Sequence, residues 1–343
     1  MKELTLHIGL PKTGTSTLQH YFTDNFDQLK QQGIYYPQTG RPYVAHHGIA
    51  QACKRLLPVG SDLSKLRREF DAEVASSDQV LLSSEAFQDF TAYLGVVYFF
   101  GLPREKPPYI QALAPIWVRR HRIRTFCYLR EFLEFAGSNY AQRIQNTNMF
   151  MNFDEFCCYQ FRRPLLFLTG FWTWFSDEIQ FAPFERAKLY NKSIVDDFFW
   201  RIGADMPSPA LNRDANPSIA GNLLAFKLFL NAHSLHSKAL YGVCSELARE
   251  DPAFRGRFRI TDSAAKDLRQ RFQQYNKKVE DLVGKLSYKS FHNEKPILNP
   301  DTWSADVERF LSHPGLAHLK DHPAMLRAST DATISELRKK ISQ

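Results

Sequence analysis

The chain has 343 residues, enough for one large α/β domain or two ordinary ones. With 44% hydrophobic and 14% aromatic residues, it is too apolar to be a disordered chain. A net charge of +8 favours an anionic ligand, a nucleic acid or an acidic surface without choosing among them.

Leu4–Leu10 is a short β-favouring run that ends in Gly and Pro and reads as a buried strand. The chain enters it at once, with no basic-then-apolar leader. A loop, Pro11–Gly14, follows. Leu18, Phe22, Phe26 and Leu29 then recur at helical spacing as far as Gly33. Further strands are expected at Gln79–Ser83, Arg124–Leu129 and Glu178–Phe181, the last after an apolar helix, Leu165–Phe175. Strands alternating with helices predict an α/β protein: a P-loop-like three-layer fold with a mostly parallel central sheet flanked by helices.

Beyond about residue 205 the strand signal fades, which places a core at 1–205 and a helical C-terminal part at 206–343, packed together. Ile219–Phe229 and Ser263–Leu286 read as helices, and the tail beyond Pro300 as helical and charged. In Ser263–Leu286 a narrow apolar seam (Leu268, Phe272, Tyr275, Val279, Leu282, Leu286) suits packing on its own domain, with a homodimer helix as the alternative. Five cysteines at irregular spacing, with no CxxC pair, argue against a structural zinc site or a disulfide framework. The longest apolar stretch, around Leu94–Leu102, is far shorter than the ~20 residues of a membrane span. The expectation is a soluble, cytoplasmic protein.

The first chemical constellation is Gly9-Leu10-Pro11-Lys12-Thr13-Gly14-Thr15-Ser16. A nucleotide triphosphatase loop would read GxxxxGK[ST]. Both glycines keep that spacing and Ser16 stands where the magnesium hydroxyl would be, but position 15 is Thr and the only lysine, Lys12, lies inside the loop. Loop amides and a helix N-terminus still favour an anion, while nothing marks a magnesium carboxylate. That suits a phosphosulfate donor, whose leaving group needs one cation at its bridging oxygen. His7–Gln19, HIGLPKTGTSTLQ, closely resembles the 5′-phosphosulfate loop of the sulfotransferases, with its pattern Pro-Lys-(Ser/Thr)-Gly-Thr-(Ser/Thr), and most of all their bacterial branch, which is related to the carbohydrate sulfotransferases. The resemblance implies that Lys12 contacts the bridging oxygen. It also implies that Pro11, Thr13, Gly14, Thr15 and Ser16 build the cradle for the 5′-phosphate, through backbone and hydroxyl groups, with no metal required.

The same family carries an Arg at a later strand end and a Ser eight residues on, which bind the donor's 3′-phosphate. Arg130 and Ser138 match that pattern, Arg130 closing the expected third strand and Ser138 sharing a helix face with Glu134, Gln142 and Gln145. A guanidinium forks onto two phosphate oxygens and a hydroxyl donates a third bond.

Transfer to an alcohol needs a proton acceptor. Glu85, after the strand end Leu82-Ser83-Ser84, is the first candidate, followed by His47 and then His46 in the loop beyond Tyr35-Tyr36-Pro37. Arg119, Arg120, Arg122 and Arg124 form the densest basic cluster, read as a solvated approach to a strand or, alternatively, a surface for a polyanionic acceptor. No motif supports nucleic acid. Trp172, Trp174 and Phe175 read as core. The expected function is sulfonyl transfer from 3′-phosphoadenosine 5′-phosphosulfate to a hydroxyl or amine, with a glycan or glycolipid as first acceptor. A non-catalytic nucleotide-binding protein and a degenerate nucleotide kinase remain as alternatives.

Overall fold

Leu4 and Leu6 point to one side of the first strand and Thr5 and His7 to the other, and all four are buried, so this strand is covered on both faces. The computed structural model describes residues 2–55, 61–103, 119–161, 165–206 and 218–342. In it, β1 (Lys2–His7), β2 (Ile34–Tyr35), β3 (Gln79–Ser83), β4 (His121–Leu129) and β5 (Glu178–Pro183) form one sheet of order β2-β3-β1-β4-β5. Every pairing is parallel: Leu6 stands beside Leu82 on one flank and Thr125 on the other. The protein is thus α/β with helices on both sheet faces. One face, built from Leu81, Phe126, Tyr128 and Ala182, packs on the helices α1 (Thr15–Asp24) and Ile194–Ile202 through Leu18, Phe22 and Phe198. On the other, Thr125 Oγ1 meets Ser176 Oγ at 2.6 Å, just beyond the Leu165–Phe175 helix.

The described residues cluster into two compact units that do not follow the expected 205/206 boundary. One gathers Met1–Arg130, Pro164–Arg213 and Lys277–Leu286, and holds the sheet. The other gathers Glu131–Arg163, Asp214–Asn276 and Ser287–Gln343. It is helical, with the Phe132–Asn146, Gly221–Ala232, Ala239–Glu250 and Pro300–Ser312 helices around a core that includes Tyr140, Leu224, Phe226, Trp303 and Phe310.

Two expected helices are broken. The run through Leu29 divides at Asn25, whose φ of −113° and ψ of 25° leave the helical range and whose side-chain amide donates to Tyr21 O at 2.9 Å. The run Ser263–Leu286 divides at Phe272, whose φ of −107° and ψ of 25° leave the helical range, giving Asp262–Arg271 and Gln273–Val283; the Phe272 ring stacks on Phe132 at 4.3 Å. The apolar seam is therefore not one continuous stripe; Leu268, Val279 and Leu286 are buried within the chain itself. Among the described residues no helix is long and apolar enough to cross a membrane.

Candidate active site

The loop between β1 and α1 is shaped by three backbone features. Gly14 has φ 78°, and a Cβ there would press on Phe184 and Ile194 at 3.0 and 3.1 Å. A Cβ on Gly9 would lie 2.5 Å from Thr15 Cγ2, so the loop closes on itself only with glycine. Lys12, although it carries a side chain, sits at φ 65° in the left-handed region. Gly14 is the N-cap of α1 and offers no side chain to cap it, which leaves the first-turn amides of that helix without a capping oxygen. Such an end is an anion site in waiting.

The side chains of the loop divide into inward and outward groups. Thr13 is fully buried, and both its hydroxyl and its backbone N–H donate to Leu10 O, at 2.6 and 3.2 Å, so neither is left for the phosphate contact expected of it. Thr15 is likewise buried, whereas Pro11, Lys12 and Ser16 are half-buried. Among the described residues Lys12 has no acidic partner. Burial and the neighbouring Arg130 hold its ammonium below the usual lysine range. Arg130 Nη1 donates to the Lys12 carbonyl at 3.0 Å, and its guanidinium lies 5.4 Å from the Phe184 ring centre. Two cations thus stand together at an uncapped helix start. They do so between β1 and β4, where the chain leaves one strand toward β2 and the other toward β5; open α/β sheets bind ligands at such a switch point.

At the neighbouring strand end lies a carboxylate cluster. Gln19, on α1, donates from Nε2 to Glu85 Oε2 at 3.1 Å and to Ser83 Oγ at 3.2 Å. His47 Nε2 faces Glu85 Oε1 at 3.7 Å, and His47 Nδ1 meets Ser84 Oγ at 2.8 Å. The Glu85 and His47 side chains are 26% and 41% exposed, so both are reachable from solvent. Ser84 is fully buried and its Oγ accepts from Ala86 N–H at 3.2 Å, which makes it an orienting hydroxyl and not a nucleophile.

His46 does not join this cluster. It is fully buried, its Nδ1 accepts from Ser83 N–H at 3.2 Å and its Nε2 donates to Pro37 O at 2.9 Å. Burial pushes its pKa down to about 3, so it is a neutral structural link with no nitrogen left for a substrate. His7 is equally buried and pushed down to about 3; its Nδ1 meets Ser83 Oγ at 2.8 Å.

Ser138 lies half-buried on the Phe132–Asn146 helix of the second unit. The face it was expected to share is not a solvent-facing polar one: Glu134 is buried and paired with Arg257 and Lys289, each at 3.0 Å, and Gln145 is buried on Ser245 at 2.9 Å. The basic cluster is also spoken for. Arg119 is buried on Asp177 at 3.0 Å, Arg120 pairs with Asp71, and Arg122 and Arg124 share Glu178 at 3.6 and 3.0 Å. It approaches β4 from the amino end, opposite to the loop, and is an ion-paired framework. Trp172 and Phe175 are core, both fully buried.

Lys12, Arg130, Glu85 and His47 come from four stretches of sequence; Lys12 pairs with Arg130 and Glu85 with His47, beyond the carboxyl ends of neighbouring strands of one sheet. Gln19, Ser83 and Phe184 join them without having been singled out. Gln19 closes the motif string, but nothing in linear spacing shows that it reaches residue 85. Comparison with protein-family models, with curated proteins and with solved structures finds no match to this chain.

Proposed function

We propose that this protein is a sulfotransferase with a P-loop-like fold that moves the sulfonyl group of 3′-phosphoadenosine 5′-phosphosulfate to a hydroxyl or amine, a glycan or glycolipid being the first acceptor class to test. The observation that carries the reading is the pairing of Lys12 with Arg130 at the uncapped start of α1, in a loop whose glycines match a phosphate cradle. In this reading the loop amides from Gly14 to Ser16 hold the 5′-phosphate, Lys12 neutralises charge on its bridging oxygen, and the Arg130 guanidinium meets the 3′-phosphate. The part assigned to Ser138 rests on its spacing from Arg130 in the sequence alone.

The donor supplies an activated S–O bond. Glu85, with His47 beside it, accepts the proton of the acceptor hydroxyl as its oxygen bonds to sulfur. The bond from sulfur to the bridging oxygen breaks, and that electron pair stays on the phosphate, where Lys12 and the amides stabilise it. His46 has no part in this step.

The test is magnesium-independent transfer of labelled sulfonyl from the donor to a panel of glycans, with slow donor hydrolysis as an acceptor-free readout. Lys12→Ala should cut turnover about a hundredfold or more. Glu85→Gln should lose turnover while still binding adenosine 3′,5′-bisphosphate. Magnesium-dependent phosphoryl transfer from ATP would make the protein a kinase, and tight nucleotide binding without turnover would make it a binding protein; either result overturns the proposal.

A further inference from the structure

We propose that Gln19 is a positioning residue that ties the phosphate loop to the proton-accepting carboxylate; the inference rests on the function proposed above. Gln19 lies one turn inside α1, the helix that the loop opens into, and is buried. Its side-chain amide has two N–H groups, and both are placed: one on Glu85 Oε2 at 3.1 Å, the other on Ser83 Oγ at 3.2 Å. Ser83 Oγ, receiving that proton, has its own to give, and His7 Nδ1 stands 2.8 Å away. His7 thereby carries its remaining proton on Nε2, 3.0 Å from where a Gly9 Cβ would be. That nitrogen is buried and has no hydrogen-bond partner among the described residues.

A continuous polar chain therefore runs from His7 through Ser83 and Gln19 to Glu85. It touches the loop at both ends, where β1 stops and where α1 begins. A shift of α1 or of the Gly9 backbone as an anion seats is passed to Glu85 Oε2 through this run of hydrogen bonds of 2.8 to 3.2 Å. The same restraint leaves Glu85 Oε1 turned toward His47 and the acceptor side. Donor loading and base orientation are in this way coupled, and Gln19 acts through Glu85 without touching the reacting atoms.

The test compares wild type with Gln19→Met, which is close in size and cannot donate, and with Gln19→Glu, which keeps the length but presents a second carboxylate to Glu85. Each should lower kcat about tenfold or more while KM for the donor and Kd for adenosine 3′,5′-bisphosphate stay within about twofold. In the Glu85→Gln background, Gln19→Met should cost nothing further. A readout free of turnover is the Gln19 side-chain amide signal in ¹H–¹⁵N spectra, identified by its loss in Gln19→Met. It should move when adenosine 3′,5′-bisphosphate binds and again in Glu85→Gln. Additive losses, a loss confined to KM, or an amide signal indifferent to both changes would overturn the inference while leaving sulfonyl transfer intact. Absence of transfer in wild type, with the amide signal still responsive, would instead sink the donor assignment and keep the coupling.

Discussion

Lys12 is held in a backbone conformation that costs a residue with a Cβ about 1 kcal/mol, and it is half-buried beside a second cation. Neither condition serves folding; Lys12→Gly removes both, whereas Lys12→Ala removes only the charge. Lys12→Gly should therefore be more stable than Lys12→Ala by about 1 kcal/mol, because glycine accepts the left-handed φ, although both lose turnover alike. Thermal or urea unfolding of the two variants checks this. Equal stability would mean that the loop relaxes once the ammonium is gone. The residue types of the loop were legible in the sequence because phosphate cradles are local, strand, turn and helix in one short run. What Lys12 stands next to was not, since Arg130 comes from more than a hundred positions away. His46 shows the same limit from the other side: it looks identical to His47 in the sequence, and only burial separates a structural imidazole from an accessible one.

Among elements, the strands were the most legible. Gln79–Ser83 lies where it was expected, and β4 extends the expected Arg124–Leu129 by three residues toward its start. The two-residue β2 gave no periodic signal, and single residues leaving the helical range, Asn25 and Phe272, broke helices whose apolar spacing ran on past them. The stretch that carries His46 and His47 is held by Glu73, last residue of the Ser61–Glu73 helix. Its carboxylate accepts from Gln38 N–H at 2.7 Å, Thr39 N–H at 2.9 Å, Thr39 Oγ1 at 2.5 Å and Tyr35 OH at 3.0 Å. Burial raises the Glu73 pKa, but these four donors outweigh it and leave it below the ordinary glutamate value. The stability it lends is therefore complete above the unfolded value of roughly 4.3 and fades as pH falls through the lower, folded one. Glu73→Gln should cost about 1–2 kcal/mol at pH 7, and the gap to wild type should narrow below pH 4, as read by urea midpoints. A gap that stays constant with pH would show that the charge contributes nothing.

At the scale of the whole molecule, the helical unit contains an unusual core lysine. Lys227 is fully buried, donates to Ile144 O at 3.0 Å and Thr147 O at 3.2 Å, and so closes the carboxyl end of the Phe132–Asn146 helix. Burial pushes its pKa down to about 8. Because the unfolded chain binds this proton up to about pH 10.4, wild type should gain on the order of 1–2 kcal/mol relative to Lys227→Met between pH 8 and pH 10. Paired denaturation curves at the two pH values measure it; no change in the difference would mean that Lys227 stays charged in the fold. The division of the chain was the least legible feature. Strand and helix signals run in order along the sequence, whereas the two units exchange the chain repeatedly, Glu131–Arg163 leaving the sheet region and Lys277–Leu286 returning to it. Phe226 meets Phe310 across 84 positions, so the core of the second unit is closed by its last third. During synthesis from the amino end, the Gly221–Ala232 helix emerges well before Trp303 and Phe310, which pack on its Phe226, can cover it. Its apolar side must wait in the open, and this nascent protein should lean on holding chaperones until Trp303 and Phe310 have left the ribosome.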